Sequence, residues 1–223
     1  MIIIKWIKKV VKSNCFFRSF ALSICNSSLL NSRCKVSSRG AVVNLKKIIR
    51  GKNNYIFVGE HSILKNTAIR MIGDNNSITF GKNCYVGANC SFWLEGCNVV
   101  IHIGDNCTFT SRVHFCAQED GMSINVEDDC MFSNNIIVRT SDSHPIYNRI
   151  NGQRINPPKS VLIGKHVWVA PHTNIMKGAI VRDGSIIGSK SLVTNEIPEN
   201  SLAVGTPAKV VKTDIFWTRE KLF

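Results

Sequence analysis

"IGKHVWVAPHTNIMKGAIVRDGSIIGSKSLVTNEIP", Ile163 to Pro198, repeats itself every six residues. Each six opens with Ile or Val: Ile163, Val169, Ile175, Val181, Ile187 and Val193. The fifth place is small or β-branched, at Val167, Thr173, Ala179, Ser185 and Ser191. The second is often small, at Gly164, Ala170 and Gly188. A helix does not repeat every six residues, and a plain strand repeats every two. A six-residue period marks a parallel β-helix, in which short strands turn at small residues and each coil stacks on the last. The opening Ile or Val points inward and stacks on its counterpart in the next coil.

Upstream, the same rule holds with slips of phase. Units start at Val58, Phe80, Ile103 and Val126, and in them Cys84, Cys90, Cys107 and Cys130 take the fifth place. A free cysteine packs as a small apolar body, so these thiols belong to the core. The nine cysteines are odd in number and form no C-x-x-C pair, which excludes a disulfide framework and a zinc ribbon. Reduced thiols point to the cytosol.

Between Thr140 and Val161 no hexad can be written. Gly152, Pro157 and Pro158 mark residues 141–160 as a loop, and long loops in compact folds tend to carry function. His144 sits near its start, in "SDSHPI", where no core layer exists for it to serve. Histidine exchanges a proton near neutral pH, so His144 is the candidate general base. Asp142, Ser141 or a backbone carbonyl is available to orient its ring.

Taken together, these hexads and the His-Pro loop resemble the hexapeptide-repeat acyltransferases, from about Val58 to Lys212 and most closely from Ser141 onward. The resemblance implies an all-β fold: a left-handed parallel β-helix of triangular section, three sixes or about 18 residues to a coil, with a protruding loop and short helical N- and C-terminal elements. The implied division is a basic N-terminal cap at 1–55, the acyltransferase β-helix at 56–212 and a tail at 213–223. In hexapeptide acetyltransferases of sugars, a loop histidine followed by proline is the base, with a tryptophan 24 residues on. Here these are His144 and Trp168. Trp168 then packs against coenzyme, acceptor or loop.

The resemblance further implies acetyl-coenzyme A as donor, in a groove between two subunits of a homotrimer, with no metal. By position, Pro171, Ser189, Thr194 and Asn195 match residues along the pantetheine arm, and Lys209 and Lys212 fall at the family's basic positions. Asn195 departs from the lysine often found there, and Lys190 is the candidate to compensate. "SDSHPIYNRINGQRIN" looks like the subgroup that O-acetylates bacterial surface polysaccharides, with Arg149 and Arg154 as candidate contacts to an acidic sugar. The tail is expected to dock Phe216 and Trp217 on a coil face.

The chain has 223 residues and a formal charge of +13. Twelve of its 28 basic residues precede Tyr55, and no Asp or Glu precedes Glu60. Such a segment favours anionic partners: acidic lipid headgroups, an acidic glycan or nucleic acid. "MIIIKWIKKVVK" is too short to span a bilayer and lacks signal-peptide form. It reads as a helix capping the solenoid or lying on a membrane surface. The expected location is therefore cytoplasmic, with peripheral contact to the inner face of the plasma membrane. No aromatic-basic interleaving supports nucleic-acid binding.

Four rival readings remain at this stage. A zinc hydrase needs three converging histidines, but His166 and His172 lie six apart on adjacent faces. Cys116, outside the fifth place, is a candidate nucleophile. A sugar N-acetyltransferase would use the same base, and a non-catalytic β-helix scaffold would bind no coenzyme A.

Overall fold

A computed structural model describes residues 34–222, and they form a left-handed parallel β-helix of triangular section. The first described coil is β1 (Cys34–Ser38), β2 (Ala41–Val43) and β3 (Lys46–Arg50). The next is β4 (Asn54–Val58), β5 (Ile63–Lys65) and β6 (Ala68–Ile72), followed by β7 (Ser77–Phe80), β8 (Tyr85–Val86) and β9 (Ser91–Glu95). Then β10 (Val100–Ile103) leads into β11 (Thr108–Gln118), and β12 (Ser123–Val126) into β13 (Met131–Arg139). After the loop come β14 (Val161–Ile163), β15 (Trp168–Val169) and β16 (Asn174–Ile175), then β17 (Ile180–Val181), β18 (Ile186–Ile187) and β19 (Leu192–Val193). The last coil holds β20 (Glu196–Ile197) and β21 (Leu202–Val204), closed by β22 (Lys209–Lys212), which turns back antiparallel to β21.

The first face stacks β1, β4, β7, β10, β12, β14, β17 and β20. The long strands β11 and β13 each bend across the other two faces. Their first residues pair with β8 and β15 on the second face, and their last residues with β9 and β16 on the third.

The expected inward positions are the core. Ile163, Val169, Ile175, Val181, Ile187 and Val193 are fully buried, as are Val167, Thr173, Ala179, Ser185 and Ser191. Cys84, Cys90, Cys107 and Cys130 lie inside as fifth-place residues. Between them sits an aromatic column of Phe80, Phe92, Phe109, Phe115 and Phe132, with Phe109 and Phe132 stacked at 4.7 Å.

Coil length departs from the expected 18 residues in the N-terminal half. Downstream, the Asp183 carboxylate accepts the Lys165 N–H 18 residues earlier. Upstream, Asp74 and Asp105 make the same staple to Lys52 and Lys82, spanning 22 and 23 residues. The extra residues lie on the third face, where β6 and β9 run five residues each and end in a broad glycine corner. Gly73 shows why: its φ is +112°, and a Cβ there would lie 2.0 Å from the Gly96 carbonyl oxygen. The wider coil explains the slips of phase.

Two boundaries also move. β1–β3 pair in register with β4–β6, so the solenoid includes residues 34–55, which were expected to be a separate cap. The expected N-terminal helix and its membrane contact lie outside the described residues. The tail is not helical but runs back along one corner of the prism. Trp217 is 7% exposed and docked as expected, whereas Phe216 is 88% exposed and points away.

Candidate active site

The period breaks where expected: β13 ends at Arg139 and β14 begins at Val161. The loop leaves the corner between the third and first faces. It forms a short hairpin in which Ile155 N–H donates to the Ile146 carbonyl and Asn148 N–H to the Gln153 carbonyl. Ile150 and Tyr147 are exposed near its tip.

His144 is exposed at the hairpin's base. Its backbone is held by Asn156, a residue the sequence did not single out. The Asn156 amide donates to the His144 carbonyl at 2.9 Å and to Asp142 at 2.8 Å. Its Oδ1 accepts the Ile146 N–H at 2.6 Å. As a residue 7% exposed, Asn156 is a buried crossbar that fixes the chain on both sides of the histidine.

Two ion pairs anchor the crossbar to the solenoid. Lys177, one coil further on, pairs with Asp142. Arg154 forks onto Glu119 with bonds of 2.6 and 2.8 Å, and Ser141 Oγ donates to the same carboxylate at 2.6 Å. Arg154, the candidate acceptor contact, is thus paired with a solenoid carboxylate. Asp142 and Ser141 face Asn156, Lys177 and Glu119, so neither orients the imidazole. Among the described residues the imidazole has no hydrogen-bond partner.

Hydrogen bonds from Lys177 and Asn156 hold the Asp142 carboxyl below the usual range, and those from Arg154 and Ser141 do the same for Glu119. The support these anchors give is complete above the ordinary carboxylate range. It is lost as pH falls through their lowered values, so acid loosens the loop.

Asn156→Ala is expected to cost about 1–3 kcal/mol locally, speeding hydrogen exchange at Ile146 roughly ten- to hundredfold. Mass-resolved exchange checks this, with the β-helix strands unchanged.

Trp168 stands on the second face, away from the loop's corner, so one chain does not bring it to His144. The tail packs beside it. Trp217 lies 5.8 Å from Trp168 and stacks on His166 at 4.0 Å. His166 Nδ1 faces Asp129 at 2.6 Å, and Arg219 reaches Asp129 at 2.7 Å. His172 instead turns toward Asn135. Both histidines occupy left-handed corners, and no three metal-ligating side chains cluster among the described residues. Cys116 is 1% exposed and burial pushes its thiol up, which removes it as a nucleophile.

The fold recurs elsewhere. The polysialic acid O-acetyltransferase of Neisseria meningitidis is 32% identical over 199 residues, covering 86% of this chain and 87% of that protein. The chain belongs to the hexapeptide-repeat acetyltransferases. Two solved structures agree. The polysialic acid O-acetyltransferase OatWY superposes with a TM-score of 0.68 at 26% identity, covering 86% of this chain and 90% of that one. The polySia-specific acetyltransferase NeuO gives 0.66 at 27%, covering 86% and 92%. A polysialic acid O-acetyltransferase of Escherichia coli O1:K1 is 36% identical over 85 residues, a match to 38% of this chain and only 28% of that protein. No family model matches the chain.

In this acetyltransferase the expected donor residues divide between two corners. Pro171 and Lys190 stack at the corner between the second and third faces, where Lys190 N–H donates to the Pro171 carbonyl at 2.9 Å. Ser189 is beside them and exposed, and Lys209 and Lys212 are exposed on β22. Thr194 and Asn195 lie instead at the loop's corner, after β19. Arg149 is exposed at the loop tip.

Proposed function

We propose that this enzyme transfers an acetyl group from acetyl-coenzyme A to a hydroxyl of a bacterial surface saccharide, with His144 as general base. The observation that carries the reading is the pinned loop. A β-helix that is otherwise periodic spends a buried asparagine and two ion pairs on fixing the backbone of one exposed histidine. The relatives' action on polysialic acid favours a saccharide acceptor.

The chain's own residues suit the donor. The stacked corner of Pro171, Ser189 and Lys190 offers a surface for an extended arm, and the exposed Lys209 and Lys212 offer cations for its phosphates. Because Trp168 and the two donor corners do not converge in one chain, the cleft is completed between copies, as in a homotrimer. His144 takes the proton of the acceptor hydroxyl as its oxygen attacks the thioester carbonyl, and the imidazolium returns that proton to the departing thiolate. Holding both substrates in one cleft supplies much of the acceleration.

Incubating the full chain with acetyl-coenzyme A and a panel of acidic and neutral oligosaccharides, read by mass spectrometry, tests this. An added acetyl group on a sugar hydroxyl is the expected product. Acetylation on nitrogen alone, or no transfer to any saccharide, overturns the reading.

A further inference from the structure

The third face carries a row of outward side chains that the packing of the core does not use. Arg70, Trp93, Cys116 and Arg139 stand side by side on β6, β9, β11 and β13, in register across consecutive coils. Their neighbours Ile69, Phe92, Phe115 and Val138 point into the core, so the row faces outward. Three strand spacings make it about 14 Å long.

The row is cationic and aromatic. The Arg70 guanidinium lies 4.7 Å from the centre of the Trp93 ring. Lys46 and Arg50 extend the same face on β3, and Glu95 is the carboxylate among these strands. The Arg70 Nε, Trp93 Nε1 and Arg139 Nε are covered yet have no hydrogen-bond acceptor among the described residues. A covered donor without an acceptor costs about 1–3 kcal/mol. Three in one row leave it short of acceptor oxygens, which a small shift of the flexible guanidinium groups would let a ligand provide.

The row also leads to the reaction centre. Arg139 Nη2 donates to Ser143 Oγ at 2.6 Å, and Ser143 immediately precedes His144. We propose that Arg70, Trp93 and Arg139 form a binding track for an acidic saccharide chain and deliver one of its units to the His144 loop. Guanidinium groups pair with sugar carboxylates, and the indole supports the apolar face of a ring. This rests on the acetyl-transfer reading for its purpose but not for its binding.

The test is equilibrium binding of a long sialic acid oligomer, and of a neutral isomaltose oligomer of equal length, to the full chain and to its Arg70→Gln and Trp93→Ala forms. Binding of the acidic chain is expected to weaken with salt, and to fall about tenfold or more in each variant, which corresponds to about 1.4 kcal/mol. Where transfer is measured, the rise in KM grows with acceptor length. Unchanged affinity in both variants, or equal affinity for the neutral oligomer, overturns the track. So does a loss of oligomer in sedimentation of Trp93→Ala, which would make the row an interface between copies. If no saccharide is acetylated while these binding differences hold, the track stands and the transfer reading fails.

Discussion

Replacing His144 by alanine is expected to cut acetyl transfer about 10²–10⁴-fold, the usual contribution of a positioned general base. The substitution is clean because the His144 ring is exposed and its anchoring runs through the backbone carbonyl, which alanine keeps. Asn156, Asp142 and Lys177 retain their partners, and the melting temperature should not move. The rate is read by coupling release of the coenzyme A thiol to a colorimetric reagent. Turnover within about tenfold of the parent, well short of that contribution, removes His144 from the base role. Asn156→Ala, which leaves the imidazole in place but unpins its backbone, should fall between the two.

Phe109→Ala tests the solenoid rather than the loop. Phe109 is fully buried in the aromatic column, stacked on Phe132 and set against Phe115 at 5.8 Å and Phe92 at 6.4 Å. Close packing on every side leaves neighbouring coils little freedom to collapse into the void, because their spacing is fixed by backbone hydrogen bonds. A cost of about 3–5 kcal/mol is expected, or roughly 6–20 °C in melting temperature for a domain of this size. Phe216→Ala removes the same ring from an exposed position and should change stability by no more than about 0.5 kcal/mol. Equal effects of the two in a thermal melt followed by circular dichroism would contradict the core assignment.

The inward residues were legible because a β-helix writes its core at a fixed interval, and Ile163 or Val169 is read by counting alone. The loop's limits were legible for the converse reason. The thiols of Cys84 and Cys107 followed from their place in the repeat. Coil length was not legible upstream, since the added residues on the third face break the count without breaking the stack. Nor were the anchors. Glu119, Asn156 and Lys177 are far apart in sequence, and only the stacking of coils puts Glu119 beside Arg154 and Lys177 beside Asp142. That Arg154 pairs with Glu119 was not legible either, because a basic residue in a loop looks the same before its partner is known. Phe216 and Trp217 adjoin, and no local signal says which of the two turns inward.

A stack held only by neighbour-to-neighbour contacts melts one layer at a time from an unprotected end. Here the segment after β22 crosses that grain. Ile215 N–H donates to the Asn200 carbonyl, while the Arg219 guanidinium donates to the carbonyls of Asn106 and Cys130, up to 113 residues away in sequence. The C-terminal coils therefore cannot peel without first unfastening a seam that runs past them to the middle of the molecule. A protease that trimmed the seam would convert one cooperative unit into a zipper, visible as a broadened transition before any loss of strand content.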